Sequence, residues 1–155
     1  MTPVFERVLH DPGETFALGQ ALGELLEAGD FVALAGALGS GKTQFIKGLA
    51  AGLGVSPDEP VVSPTFVLIR EYVGRLKLYH IDAYRLAAAD ELLALGLAEM
   101  MAEPAAVVAV EWADRVTPAV PNSACSIDLE HAGPTDRRIR MTWPAAVERL
   151  ARLAG

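Results

Sequence analysis

The stretch Phe31-Val32-Ala33-Leu34-Ala35-Gly36-Ala37-Leu38-Gly39-Ser40-Gly41-Lys42-Thr43 decides the fold of this chain. Phe31 to Ala35 is short, wholly apolar and bounded by Asp30 and Gly36, the pattern of a strand buried on both faces. Gly36 to Thr43 then fits GxxxxGK[ST] at all four fixed positions, and Thr43 to Leu53 returns to a helical periodicity that finishes at Gly54. A strand, a glycine loop and a helix in that order form the setting in which this spelling has a mechanism. The glycines let successive backbone N–H groups turn inward to phosphate oxygens, which also meet the positive end of the following helix. Leu38, Gly39, Ser40, Gly41, Lys42 and Thr43 are therefore the candidate cradle. Lys42 is expected to reach the β and γ phosphates of a nucleotide, and Thr43 to offer its hydroxyl to magnesium.

Working outward, Val4 to Leu9 is expected as a first strand, followed by a turn at Asp11-Pro12-Gly13 and a helix from about Glu14 that Gly29 ends. Phe66 to Tyr72 and Leu76 to Ile81 are predicted as strands joined by a hairpin at Val73-Gly74-Arg75, and a helix with an acidic start covers Asp90 to Leu97. Val107 to Val110 is the second doubly buried run. Ser126 to Leu129 and Arg138 to Trp143 form a late antiparallel pair, and Pro144 opens a closing helix over Ala145 to Leu153. The prediction is an α/β fold like that of P-loop NTPases: a mixed sheet with parallel core strands and antiparallel additions, helices on both faces.

The 155 residues read as one domain, 1–155, with 52% apolar and 21% charged residues and no internal repeat. A net charge of -7, from 13 Lys and Arg against 20 Asp and Glu, argues against a surface that grips bare nucleic acid. The single cysteine, Cys125, excludes an intramolecular disulfide and reads as a small buried apolar residue. Neither the start of the chain nor any apolar run has the form of a signal peptide or a membrane span, so a soluble cytoplasmic protein is expected.

Two acids follow apolar runs. Glu111 ends the more buried one and is assigned to magnesium, since its carboxylate emerges where phosphate loops open. Asp82 ends a strand that places His80 and Asp82 on one face, and it suits activation of water or a supporting metal role. A helix cap or surface salt bridge is the plainer role for either acid. Between the loop and Glu111, Thr65 in Ser63-Pro64-Thr65-Phe66 is the candidate sensor of the γ phosphate, with a plain Ser/Thr turn as its equal alternative. His80 is either a proton carrier or, as composition favours, a partly buried histidine with a structural hydrogen bond; Arg85 either stabilises transferred charge or, as the default, pairs with a nearby acid. Trp112 shields the site, meets a partner or packs. Guanine specificity needs an Asn-Lys-x-Asp signature, and the only Asn is Asn122, so ATP is favoured.

With these residues in place the chain resembles the TsaE (YjeE) family. The resemblance rests on Gly36 to Thr43, Ser63 to Phe66, Tyr79-His80-Ile81-Asp82-Ala83-Tyr84-Arg85-Leu86, Asp90-Glu91-Leu92 with Leu95-Gly96, and Val110-Glu111-Trp112. It implies ATP and Mg2+ as cofactors, magnesium bound by Thr43 and Glu111, and Asp82 needed for hydrolysis. It also implies functional weight for Thr65, Trp112 and the block from His80 to Arg85. A late-strand arginine near the nucleotide is implied too, with Arg137 the best positional match and Arg138 adjacent. The function it implies is partner-dependent ATP hydrolysis with TsaB and TsaD in threonylcarbamoyladenosine modification of tRNA, the tRNA being met only through the complex. The phosphate loop alone equally permits a small-molecule or nucleoside kinase. After Trp112 come a Pro-flanked turn and the late strands, which leave little room for an Arg-rich lid of the kinase kind.

Overall fold

The structure, a computed structural model, describes residues 3–61 and 69–155. Strands β1 (Phe5–Leu9), β2 (Phe31–Gly36), β3 (Ile69–Val73), β4 (Lys77–Asp82), β5 (Ala106–Glu111), β6 (Cys125–His131) and β7 (Arg137–Thr142) form one sheet. Their order is β1-β7-β6-β2-β5-β4-β3. β4, β5, β2 and β6 run parallel; β3 pairs antiparallel with β4 at one side, and at the other β7 pairs antiparallel with β6 and β1 antiparallel with β7. The expected mixed sheet is therefore present, with the glycine-loop strand β2 at its middle. All four residues from Phe31 to Leu34 are buried, as are all six of β5, because helices cover both faces.

Helices α1 (Pro12–Leu25), α2 (Lys42–Gly52) and α5 (Val147–Ala154) pack on one face with Val32, Leu34, Leu78, Val107 and Ala109. On the other face α3 (Ala89–Ala94) and α4 (Leu97–Ala102) cover Phe31, Ala33, Tyr79, Ile81, Val108 and Val110. The single helix expected over Asp90 to Leu97 is thus two short ones: Gly96 adopts φ 98°, a left-handed conformation that ends the first and starts the second. The closing helix begins at Val147, after a tight turn over Pro144–Ala146. Of the strand predicted from Phe66, residues 66–68 lie outside the described ones.

The α1–α2 contact sets where the glycine loop sits. Gly19 and Gly23 of α1 face Gly48 and Gly52 of α2, and a Cβ built on any of the four would lie 2.1 to 2.3 Å from a carbonyl oxygen of the other helix. The helices therefore touch backbone to backbone. Asp11 caps α1 by accepting from the Glu14 amide at 2.8 Å, so the helix starts two residues before the predicted point. At the far end Arg75, in the β3–β4 turn, donates to the carbonyls of Gly23, Glu24 and Leu26. This places a cation on the negative end of α1 and ties β4 to the helix layer. Cys125 is fully buried, and burial pushes its thiol pKa well up. Among the described residues no helix is long and apolar enough to cross a membrane.

Candidate active site

Parallel strands deliver their C-terminal ends to one edge, and here that edge gathers the residues singled out by sequence. The loop after β2, Asp82 at the end of β4 and Glu111 at the end of β5 all open there, with Asp82 and Glu111 paired in register. A cleft of about 590 Å³ is lined by Leu38, Gly39, Gly41, Lys42, Thr43, Gln44, Asp82, Tyr84, Glu111 and Trp112. Of the residues singled out by sequence, Leu38, Gly39, Gly41, Lys42, Thr43, Asp82, Glu111 and Trp112 line it; Ser40 is buried within the loop, and His80, Arg85, Arg137 and Arg138 lie outside the lining. Thr65 lies outside the described residues.

The loop needs its glycines. Gly36 approaches β6 so closely that a Cβ would meet the Leu129 carbonyl oxygen at 2.4 Å, and Gly41 holds φ 103° where the chain turns into α2. Lys42 folds back over the loop, donating to the carbonyls of Gly36 at 2.6 Å and Ala37 at 2.9 Å. Its ammonium also stands 4.0 Å above the Trp112 ring centre. Burial lowers the Lys42 pKa, and the carboxylates of Glu111, Asp114 and Asp82 oppose that shift. The hydroxyl of Ser40 is buried with no hydrogen-bond partner among the described residues. A cradle whose polar groups are not all matched from within suits an incoming oxygen-rich ligand.

Glu111 is buried at 2% exposure, and its Oε2 lies 2.5 Å from Nε2 of His80, which is fully buried. Sequence predicted neither the pairing nor its depth. The signal was partial: positions 80 and 82 share a face, and so do 109 and 111, but only the β4–β5 pairing brings the two sets together. Asp82 is half-buried, and its Oδ1 accepts from the Tyr84 amide at 2.9 Å, which fixes the carboxylate at the turn leaving β4.

Trp112 packs and also walls the site. It has φ 58°, left-handed for a non-glycine residue, and this turns the chain after β5 so that the ring covers Lys42. Tyr84 lies against Trp112 with ring centres 5.0 Å apart, and the Arg115 guanidinium sits over both rings at 4.9 and 5.5 Å. Arg115 escaped the sequence reading because its partner rings come from two loops.

Arg137 reaches the loop rather than the cleft. It donates to the Gly39 carbonyl at 3.2 Å and to the Asp136 carbonyl at 2.9 Å, and it lines a smaller recess of about 150 Å³ beside the loop with Asp11, Thr15, Gln44 and Thr135. His131 meets the Leu38 carbonyl at 3.3 Å. Together these two hold loop carbonyls on the outer side, the counterpart of amides turned inward. Arg138 instead pairs with Glu130 and Glu6, so of the two adjacent arginines it is Arg137 that meets the loop. Arg85 is exposed.

The model of the family "Threonylcarbamoyl adenosine biosynthesis protein TsaE" matches residues 9–139. The chain is 42% identical over 126 residues to the tRNA threonylcarbamoyladenosine biosynthesis protein TsaE of Treponema pallidum, a match spanning 81% of this chain and 91% of that one. It is 41% identical over 146 residues to the protein of the same name from Nostoc, covering 92% of this chain and 86% of the relative. The crystal structure of Bacillus subtilis YdiB is similar to it throughout, with a TM-score of 0.85 at 32% identity over 99% of this chain and 96% of that one.

Proposed function

The chain belongs to the TsaE family of threonylcarbamoyladenosine biosynthesis proteins, and from that premise we propose that it is a cytoplasmic, magnesium-dependent ATPase that works with TsaB and TsaD in modifying tRNA. The observation that carries the catalytic part is the convergence of Lys42, Thr43, Asp82 and Glu111 on one cleft. Loop amides and Lys42 hold the β and γ phosphates, with Lys42 leaving its two carbonyl partners for the more negative ligand. Asp82, oriented by the Tyr84 amide, accepts the proton of the attacking water. Trp112 and Tyr84 cover the phosphate end and limit the entry of other water.

The donor set fits magnesium. The Thr43 hydroxyl and the Glu111 carboxylate are hard oxygen donors lining the same cleft, and magnesium takes few protein ligands while keeping several waters. When bound there, the cation supplies neutralisation of charge on the phosphate oxygens. With a net charge of -7 the chain itself has no basic field for tRNA, so the partners make the nucleic-acid contact and hydrolysis resets the assembly.

The test is phosphate release from ATP by the protein alone and then with TsaB and TsaD from the same organism, magnesium present throughout. A low rate that rises sharply with the pair is expected. A rate indifferent to the pair but raised by a small-molecule acceptor that becomes phosphorylated would overturn the proposal in favour of a kinase.

A further inference from the structure

Among the described residues His80 is the one fully buried titratable side chain beside the cleft, and the steps above give it no task. It sits on β4 opposite Ala109, two residues before Asp82, and faces the same side of the sheet as Glu111 on β5. An ionised carboxylate can only accept, so the 2.5 Å contact is Nε2–H of His80 donating to Oε2 of Glu111. Nδ1 of the same ring finds no partner among the described residues, so that hydrogen bond to Glu111 is the polar contact its ring makes there.

We infer that His80 is a positioning residue for the metal: by taking Oε2 of Glu111 it fixes the carboxylate and reserves Oε1 for the cation. This rests on the assignment of Glu111 to magnesium made above. The physical case has three parts. A glutamate has three side-chain torsions, and an oxygen meant for a small cation with strict octahedral geometry must be presented in one orientation. The imidazole is held inside the sheet at 0% exposure, so it is a rigid donor rather than a mobile surface group. Lys42 also stands near Glu111, but its ammonium is committed to the loop carbonyls and, in the proposed cycle, to phosphate. Without His80 the buried carboxylate would be free to swing toward Lys42, away from Thr43. Partners of this kind, behind a metal ligand, typically change metal affinity by about 10- to 100-fold.

The experiment is calorimetric binding of a non-hydrolysable ATP analogue over a magnesium titration, with a parallel series in EDTA, for the wild type, His80→Leu, His80→Gln and Glu111→Gln. The glutamine amide carries an N–H donor near the position of Nε2, whereas leucine fills volume without donating. His80→Leu is expected to need about 10- to 100-fold more magnesium, with binding in EDTA within about twofold of wild type, and His80→Gln to recover most of the loss. Equal weakening with and without magnesium would mean a general packing role and overturn the inference. So would a wild-type magnesium requirement in His80→Leu while Glu111→Gln loses its own. A Glu111→Gln variant that keeps its full magnesium dependence would instead remove the metal assignment on which both proposals stand. Should His80→Leu fail to fold, nitrogen-15 spectra of wild-type histidines decide: Nε2–H at His80, moved by magnesium with ADP but not by ADP alone, is expected. Protonation at Nδ1 alone would refute it.

Discussion

Gly48→Ala tests whether the backbone contact between α1 and α2 sets the position of the catalytic loop. A Cβ at this position meets the Phe16 carbonyl oxygen at 2.1 Å, the Phe16 carbonyl carbon at 2.9 Å and the Gln20 nitrogen at 3.0 Å. All three are backbone atoms of α1, so no side-chain rotation relieves the clash, and the helices must part by roughly 1 Å to reach ordinary contact. Overpacking of a tight interior costs about 1–3 kcal/mol, and the upper part of that range applies because Gly19, Gly23 and Gly52 approach in the same way. Alanine returns about 1 kcal/mol through its better helix propensity. The net is a loss of about 1–2 kcal/mol, which for a chain of this size lowers Tm by about 2–8 °C. Because α2 begins at Lys42, the same shift moves Lys42 and Thr43 away from Asp82 and Glu111, whose strands stay in the sheet. A displacement of this size can cost up to about 100-fold in turnover. Thermal melting followed by circular dichroism, paired with phosphate release, reads both effects. A Tm equal to or above that of the wild type would refute the close packing, and a lowered Tm with unchanged turnover would break the link between packing and site.

Lys42→Ala is expected to weaken ATP binding by at least about 10- to 100-fold, the worth of one or two charge-assisted hydrogen bonds, as measured by calorimetry. Because burial lowers the Lys42 pKa, the charged form that binds phosphate is lost as pH rises through a value below 10.5; affinity for ATP should be flat on the acid side of that point and fall above it. A break only at or above 10.5 would contradict the lowered value. Asp82→Ala should leave ATP binding within about threefold and reduce hydrolysis by about 100-fold or more, and normal hydrolysis would remove Asp82 from its role. Of the two tryptophans, Trp112 stands over Lys42 and Trp143 is buried at 1% exposure. ATP should therefore change the fluorescence of Trp143→Phe as in the wild type and leave Trp112→Phe silent, and the opposite assignment would place the nucleotide elsewhere.

What the sequence determined by itself was everything carried by local pattern. The doubly buried runs of β2 and β5, the glycine loop and the acids at strand ends each follow from residues adjacent in the chain, since alternation, backbone freedom and apolar runs act over a few residues. Element ends were less legible: Gly96 breaks one apparent helix into two because a single left-handed residue outweighs a continuous apolar pattern. The site was legible as a set of candidates but not as an arrangement. That His80 pairs with Glu111, that Arg115 covers rings from two different loops, and that Arg137 and His131 hold the carbonyls of the glycine loop were decided by strand order. Contacts between residues 31 or 93 positions apart depend on which strands lie side by side. Hydrophobic pattern tells a strand that it must be buried on both faces, and only the packed sheet tells it between which neighbours.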